Sequence, residues 1–259
     1  MIVAGIDGGS RTIKVVLLET SSNTVLASGV CDQGIKQELL AAALLDKLLD
    51  GIGRRKTDVA RIVATGYARH HIGLAQRAIT EITCHAAGVL RQMPGTMTIL
   101  EMGGQDSKLI RLDSDGLVRD FSMNDRCAAG TGRFLEVVAA RLEVRLQDLG
   151  NLAARSQSPA NISSTCVVFA ESEIIGLLAD GVCREDIVAG VQRSISQRII
   201  TMAAGNPEAP IVFTGGVALV TGMKSAIETA LGKTIVAAPD PLMTGALGAA
   251  ILAGRMQTV

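Results

Sequence analysis

Three pairs of glycine residues follow apolar segments, and they are the first feature of this sequence that can do chemistry. The pairs are Gly8-Gly9, Gly103-Gly104 and Gly215-Gly216. Because glycine has no Cβ, its backbone can approach phosphate oxygens and point N–H groups at them. One such pair is commonly an ordinary turn. Three pairs, two of them accompanied by an acid and a following lysine, favour phosphate binding.

Charged side chains accompany the first two glycine pairs. Asp7 precedes the first pair and Lys14 follows it, while Asp106 and Lys108 follow the second. The carboxylates can hold Mg²⁺ or its water ligands or orient an attacking water, and Lys14 can neutralise phosphate charge. The two lysines take equivalent places after the two turns, although a lone lysine is usually only a solvated side chain. No G-x-x-x-x-G-K-S/T motif is present, which excludes a P-loop NTPase.

Two of the five cysteines lie directly before predicted helices. Cys127 and Cys166 stand in glycine-rich or hydroxyl-rich segments, where helix N–H groups and the helix dipole stabilise a thiolate. They are therefore candidate ligands of an anionic iron–sulfur cluster. Two thiolates cannot complete a four-thiolate site, but a two-fold dimer supplies two from each chain, so a cluster would require a homodimer. We interpret the other three as small buried hydrophobic side chains: Cys31, Cys84 and Cys183.

Composition limits the class of protein. The chain has 259 residues, enough for one large domain or two of ordinary size. A formal net charge of +0 and an aromatic content of 2% argue against a nucleic-acid partner, which would need basic or base-stacking surfaces. No apolar run is long enough to span a bilayer, and Met1–Ile6 lacks the pattern of a signal peptide. We therefore expect a cytoplasmic protein without a membrane partner.

The elements that must position these residues alternate between strands and helices, which predicts an α/β fold. The first glycine turn lies between strands Ile2–Ile6 and Thr12–Leu18, and the second between Thr98–Leu100 and Lys108–Leu112. This repeated pattern indicates a duplication, although the two copies are out of step by one residue. The remaining predicted strands are Val25–Val30, Arg61–Thr65, Ile211–Phe213 and Ile235–Val236, and the predicted helices are Gln37–Leu49, Thr80–Gln92, Gly132–Leu142, Val168–Leu178, Ile187–Ala204, Gly222–Ala230 and Leu242–Arg255.

The glycine turns together resemble those of the actin, Hsp70 and sugar-kinase superfamily. That resemblance implies a duplicated ribonuclease-H-like fold with two lobes around a nucleotide cleft: lobe I over residues 1–96, completed by a C-terminal helix at 242–259, and lobe II over residues 97–241. Asp7–Thr12 becomes the first phosphate loop, Gly103–Ser107 the second and Thr214–Val217 the adenosine motif. The second loop commonly opens with Asp in that superfamily. Here Glu101 stands at that position, so either Glu101 or Asp106 can carry the role.

The same resemblance implies a set of site residues for ATP or ADP with Mg²⁺. Asp7, Gln105 and Asp106 form the catalytic set, and Asp7 also binds the metal. The nucleotide-binding residues are Gly8, Gly9, Ser10, Arg11, Thr12, Lys14, Gly103, Gly104, Gln105, Gly215 and Gly216.

A narrower resemblance follows from the segments around the cysteines. Asn124–Phe134 and Ser163–Glu173, together with Thr65–Tyr67, Glu81–His85 and Gly103–Lys108, resemble the ATP-dependent activators of 2-hydroxyacyl-CoA dehydratases and the ATPase subunits of benzoyl-CoA reductase. The resemblance covers nearly the whole chain. It implies an ATPase that delivers one low-potential electron to an iron–sulfur dehydratase or reductase component, after receiving it from a donor such as ferredoxin or flavodoxin.

In that family one [4Fe–4S] cluster bridges the two subunits of a homodimer, and the matching ligands here are Cys127 and Cys166 of each chain. Two alternatives stay open. A small-molecule kinase of the same superfamily could use Asp106 as its base, but it gives no reason for paired cysteines before helices. An ATP-gated iron–sulfur regulator shares every motif.

Overall fold

The structure is a computed structural model that describes residues 1–125, 128–163, 166–203 and 207–256. Over these residues the chain forms ten strands and eight α-helices. The strands are β1 Ile2–Gly8, β2 Thr12–Glu19, β3 Thr24–Asp32, β4 Val59–Thr65, β5 Arg77–Ala78, β6 Thr98–Met102, β7 Ser107–Leu112, β8 Val118–Asn124, β9 Ile211–Thr214 and β10 Ile235–Ala237. The helices are α1 Gln37–Gly51, α2 Glu81–Gln92, α3 Gly132–Arg141, α4 Leu149–Ala153, α5 Val167–Ala179, α6 Arg184–Ala203, α7 Met223–Leu231 and α8 Thr244–Arg255.

The chain divides into two compact units. The first contains Met1–Thr96, Leu112–Arg119 and the C-terminal segment that starts at Ala238, and the second contains Met97–Arg111 and the segment from Asp120 to Ala237. Each unit has its own five-stranded sheet and its own aliphatic core. The largest fully buried side chains of the second unit are Phe134 and Phe213, two of the few aromatic residues in the sequence.

The sheet of the first unit has the strand order β3-β2-β1-β4-β5. Strand β1 pairs antiparallel with β2 and parallel with β4. Helix α8 packs behind β1 at backbone contact, because a Cβ at Gly5 would lie 2.0 Å from the carbonyl oxygen of Ala246. Helix α2 meets α8 in the same way, since a Cβ at Gly88 would lie 1.9 Å from the carbonyl oxygen of Thr244. Glycine at these two positions therefore allows α8 to pack in backbone contact with β1 and with α2.

The sheet of the second unit repeats this arrangement. Its order is β10-β9-β6-β7-β8, and β6 pairs antiparallel with β7 and parallel with β9. Starting from the central strand, β6 corresponds to β1, β7 to β2 and β9 to β4. The predicted α/β class and the predicted duplication are confirmed.

Most predicted strands and helices are present, and their ends lie within three residues of the predicted ends. Three elements escaped prediction: β5, which has two residues, α4, which has five, and β8. Strand β8 is mostly exposed along its length, so its sequence lacks the alternation of apolar and polar residues that marks a half-buried strand. Among the helices of the described residues, none combines the length and the apolar character needed to cross a bilayer.

Candidate functional site

The turn between β1 and β2 brings an acid and a lysine together in the first unit. Asp7 and Lys14 are cross-strand partners, and Lys14 Nζ lies 3.1 Å from Asp7 Oδ2. The backbone N–H of Gly9 donates to the carbonyl of Thr12 and closes the turn. A Cβ at Gly9 would lie 2.8 Å from Lys14 Nζ, so a side chain there would require the lysine side chain to shift.

The remaining residues predicted for this turn lie near its surface. Ser10 and Thr12 are partly buried and Arg11 is exposed. Sequence reasoning missed Gln33, which braces the turn from β3: its side-chain amide donates to the carbonyl of Gly9 at 2.7 Å, and its backbone N–H donates to the carbonyl of Arg11 at 2.9 Å.

The end of β4 supplies a second contact with Asp7. Thr65 is the cross-strand partner of Asp7 on the parallel side, and Gly66 follows it with φ +90°. A Cβ at Gly66 would lie 2.5 Å from Asp7 Oδ1. Any side chain at this position would therefore displace the carboxylate. In the sequence these residues served only to mark a resemblance, and the structure adds them to the site.

A buried histidine of α2 completes the surroundings of Asp7. A Cβ at Gly245 would lie 3.0 Å from Asp7 Oδ2 and 3.3 Å from His85 Nε2. The other ring nitrogen, His85 Nδ1, lies 2.9 Å from the hydroxyl oxygen of Thr244, the first residue of α8. The side chains at 7, 85 and 244 come from three elements far apart in the sequence, and sequence reasoning missed the last two.

The second unit contains the same acid–lysine pair. Glu101 and Lys108 are cross-strand partners of β6 and β7, and Lys108 Nζ lies 2.9 Å from Glu101 Oε2 and 2.7 Å from Asp106 Oδ2. Lys108 is only 2% exposed. With both carboxylates ionised, this group of three carries a net negative charge, which suits a divalent cation or its water ligands.

Glu101 occupies the place that Asp7 occupies in the first unit. In both hairpins the lysine follows the acid by seven positions, and the acid pairs with a threonine on the parallel side, Thr214 in the case of Glu101. Gly215 follows with φ +89°, and its Cβ would lie 2.8 Å from Glu101 Oε1. The sequence left open whether Glu101 or Asp106 takes the position of the first acid. By strand pairing, Glu101 is the counterpart of Asp7, and Asp106 is an additional carboxylate. Counted from the acid, the glycine pair begins one residue later in the second copy than in the first.

The second glycine turn is tied to the segment that follows Cys127. The backbone N–H groups of Gly132 and Arg133, at the start of α3, donate to the carbonyls of Gly103 and Gly104, both at 2.9 Å. The hydroxyl of Ser107 donates to the carbonyl of Gly130 at 2.8 Å, and this bond is buried.

The predicted adenosine motif lies beside the same turn. A Cβ at Gly132 would lie 3.6 Å from a methyl group of Val217. Gly215 is buried and contacts the acid end of β6, whereas Gly216 has open space around its Cα. Gln105, predicted to be catalytic, is exposed at the turn.

The cysteines divide into different environments. Cys127 lies outside the described residues. Cys166 is partly buried in the N-cap position of α5, a helix of 13 residues, so it lies before a helix as predicted. Among the residues that the structure describes, no group of three or more His, Cys, Asp and Glu side chains is arranged to hold a metal ion. The shared cluster therefore stays a prediction.

The three cysteines interpreted as buried differ from one another. Cys84 is buried in α2, and burial raises the pKa of its thiol to about 12, with the carboxylates of Asp7 and Glu81 adding to the effect. Cys31 is partly buried, and burial also raises its pKa. The interpretation is wrong for Cys183, which is exposed at the start of α6, because its segment lies on the surface.

Comparison with known proteins identifies relatives over the whole chain. The model of the BadF/BadG/BcrA/BcrD ATPase family matches residues 4–253. The activator of lactoyl-CoA dehydratase from Anaerotignum propionicum is 44% identical over 254 residues, which cover 98% of this chain and 97% of that protein. The activator of the 2-hydroxyisocaproyl-CoA dehydratase from Clostridium difficile, solved with bound ADPNP, is 37% identical with a TM-score of 0.90, covering 100% of this chain and 99% of that one.

A more distant structure shares the fold alone. The ROK family glucokinase from Streptomyces griseus is 13% identical, with a TM-score of 0.58, and the match covers 99% of this chain and 100% of that one. This likeness confirms the predicted sugar-kinase type of fold and carries no information on the reaction.

Proposed function

Because the chain belongs to the BadF/BadG/BcrA/BcrD ATPase family, we propose that it hydrolyses ATP and uses the energy to deliver a low-potential electron to a partner enzyme. The partner is an iron–sulfur dehydratase of the 2-hydroxyacyl-CoA type or a related reductase. The observation that carries the ATPase half of this proposal is the repeated acid–lysine pair beside a glycine turn, Asp7 with Lys14 and Glu101 with Lys108.

The donor set fits a nucleotide with Mg²⁺. Carboxylate oxygens are the ligands that Mg²⁺ prefers; Asp7 supplies them in the first unit, and Glu101 and Asp106 supply them in the second. Lys14 neutralises phosphate charge. The N–H groups of Gly9 and Gly103 close their turns by donating to the carbonyls of Thr12 and Asp106, so other N–H groups of each turn would bind phosphate oxygens. Bound Mg²⁺ supplies charge stabilisation to the phosphoryl group that is transferred. The protein's own contribution is to position the γ-phosphate and the attacking water, for which no covalent group is needed.

The redox half of the proposal depends on the cysteines. A [4Fe–4S] cluster, when bound, supplies one-electron transfer, and Cys127 and Cys166 of two chains would hold it in a homodimer that receives its electron from ferredoxin or flavodoxin. The partly buried thiol of Cys166 at a helix N-terminus fits a thiolate ligand. This fit supports the assignment for the one ligand that the structure describes.

The contacts between the second turn and the start of α3 support coupling of the two halves. Gly130 is three residues from Cys127, and its carbonyl accepts from Ser107, the residue next to Lys108. A nucleotide-dependent shift of the turn would therefore be passed through hydrogen bonds to Gly130 and to the start of α3. Coupling of this kind requires that the two nucleotide states favour different arrangements.

The ATPase half is tested by Asp7→Asn, with Asp46→Asn as the matched control on the exposed face of α1. We expect Mg²⁺-dependent ATP hydrolysis to fall by a factor of about 100 or more in the first variant, because one charge-stabilising group is lost. The control should keep wild-type activity. Wild-type hydrolysis by Asp7→Asn would remove this carboxylate from the site.

The redox half is tested by anaerobic purification followed by iron and sulfide analysis. We expect about four irons for every two chains and loss of the iron in Cys166→Ser, while the exposed Cys183→Ser serves as the control and keeps it. ATP hydrolysis should survive in both. A full complement of iron in Cys166→Ser, or a cluster on a monomer, would contradict the shared-cluster assignment. A wild-type protein that phosphorylates a small molecule instead of hydrolysing ATP would favour the kinase alternative.

A further inference from the structure

Two buried polar side chains near Asp7 contact each other and have no part in the hydrolysis described above. His85 lies in the middle of α2 and is 5% exposed, and Thr244 is the first residue of α8 and is 0% exposed. Their side chains are joined at 2.9 Å between Nδ1 and Oγ1. A buried polar contact that links two helix segments at a fixed distance restricts how the helices can move.

The link lies directly behind the carboxylate. The position that a Cβ of Gly245 would occupy is 3.0 Å from Asp7 Oδ2 and 3.3 Å from both Cε1 and Nε2 of His85. Gly245 directly follows Thr244, so the hydrogen-bonded residue and the glycine that leaves room for the Asp7 carboxylate are neighbours in the first turn of α8. A Cβ at Gly66 would lie 2.5 Å from Asp7 Oδ1. The carboxylate therefore lies beside two glycines at which a side chain would crowd it.

Helices α2 and α8 are tightly packed around the His85–Thr244 hydrogen bond. A Cβ at Gly248 would lie 1.7 Å from the carbonyl oxygen of Cys84, and a Cβ at Gly88 would lie 1.9 Å from that of Thr244. Helices α2 and α8 are in backbone contact, so a change in their spacing cannot be absorbed by side-chain rotation. Such a change alters the space that Gly245 leaves for Asp7.

We propose that the His85–Thr244 hydrogen bond positions Asp7 for metal binding, by fixing the first turn of α8 at the distance at which Gly245 leaves room for the carboxylate. His85 and Thr244 are positioning residues, since they act through the backbone at 245 and not on the substrate. The inference rests on the proposed role of Asp7 as a ligand of Mg²⁺ or of its waters. It assigns a function to the Glu81–His85 segment, which the proposed reaction does not use.

The test compares Thr244→Val, which removes the hydroxyl and keeps the branched shape, with Thr244→Ser, which keeps the hydroxyl. The first readout is the rise in melting temperature that Mg²⁺ produces in the presence of ADP, measured against Mg²⁺ concentration. The Thr244 hydroxyl also donates to the carbonyl of Pro241, at 3.5 Å, a long and weak bond. We expect the half-saturating Mg²⁺ concentration to rise about fivefold in Thr244→Val, the factor that corresponds to the one ordinary hydrogen bond with His85. Thr244→Ser should stay within about twofold of wild type on the same scale. ADP binding without Mg²⁺ should be equal in all three proteins.

The second readout is the Mg²⁺ dependence of ATP hydrolysis, which should move in parallel. Thr201→Val is the matched control, because Thr201 is an exposed residue of α6 whose hydroxyl donates to the carbonyl of Gln197 in the same helix. A lower melting temperature of Thr244→Val with unchanged Mg²⁺ dependence would show a merely structural hydroxyl and overturn the proposal. Equal weakening by Val and Ser would overturn it as well.

A second pair of variants covers the case in which Thr244→Val does not fold. His85→Asn can keep a bond from the position of Nδ1, whereas His85→Leu cannot. We expect weakened Mg²⁺ dependence only in the leucine variant, and equal behaviour of the two would refute the proposal. If the wild type does not hydrolyse ATP but Thr244→Val still weakens the Mg²⁺-dependent stabilisation with ADP, the positioning role stands and the proposed hydrolysis falls.

Discussion

Removing the ammonium group of Lys108 should cost far more stability than removing that of Lys14, although the two lysines are counterparts in the duplicated sheets. Methionine is a suitable replacement, since it keeps most of the side-chain length and loses the charge. Lys108 is 2% exposed and contacts two carboxylates, at 2.9 Å from Glu101 and 2.7 Å from Asp106. Its loss removes the ammonium group that both carboxylates contact.

The structure sets the size of the difference. Removing one partner of a buried ion pair costs about 3–5 kcal/mol, because the remaining charge is left uncompensated, and we expect this range for Lys108→Met. The side chain of Lys14 is 12% exposed and contacts one carboxylate at 3.1 Å. The loss of one hydrogen bond to a charged group costs about 1.5–3 kcal/mol, and we expect this range for Lys14→Met.

The assay is urea denaturation followed by far-UV circular dichroism, because the chain contains no tryptophan to report unfolding. Hydrogen exchange then locates the effect: Lys108→Met should lower protection in β6 and β7, and Lys14→Met in β1 and β2. Adding Glu101→Gln to Lys108→Met should restore about 1 kcal/mol or more, since it removes one of the two uncompensated charges. A smaller loss in Lys108→Met than in Lys14→Met, or no recovery in the double variant, would refute this reasoning.

Two further substitutions test other parts of the structure. Gly66→Ala places a Cβ 2.5 Å from Asp7 Oδ1 at φ +90° and should destabilise the protein by about 2–5 kcal/mol and reduce ATP hydrolysis, whereas Gly53→Ala, with φ +65° and open space, should cost about 1–2 kcal/mol. Hydrogen bonds, chiefly from the hydroxyl of Ser156, hold the pKa of Asp186 below its ordinary value of 3.8. Its stabilisation is therefore present above about pH 4 and lost as the pH falls through the depressed pKa, so the midpoint of Asp186→Asn should lie below that of wild type at pH 7 and converge with it in acid.

Both outcomes have a clear contrary result. Equal losses of stability in the two alanine variants would show that the close approach to Asp7 is not what makes Gly66 necessary. A difference between wild type and Asp186→Asn that stays constant from pH 7 to about pH 3 would show that this carboxylate titrates in the folded protein as it does in the unfolded chain.

Local sequence patterns predicted much of this fold because they depend on near neighbours. The helical spacing of apolar residues and the apolar runs before the glycine turns located seven helices and eight strands of the described structure. The hairpins at 7–14 and 101–108 were also predictable, since each acid, turn and lysine lies within one short segment. Short or exposed elements such as α4 and β8 carry too little periodic signal to be recognised.

The sequence by itself determined the duplication, the two glycine turns and the place of Cys166 before a helix, because each of these is a local arrangement of residue types. Only the tertiary structure decided which acid is the counterpart of Asp7, since that depends on the register of Glu101 against Lys108. It also decided that Gly66 and His85 surround Asp7. These residues are brought together by the parallel pairing of β1 with β4 and by the packing of α2 on α8, and non-local contacts of this kind leave no periodic trace in the chain.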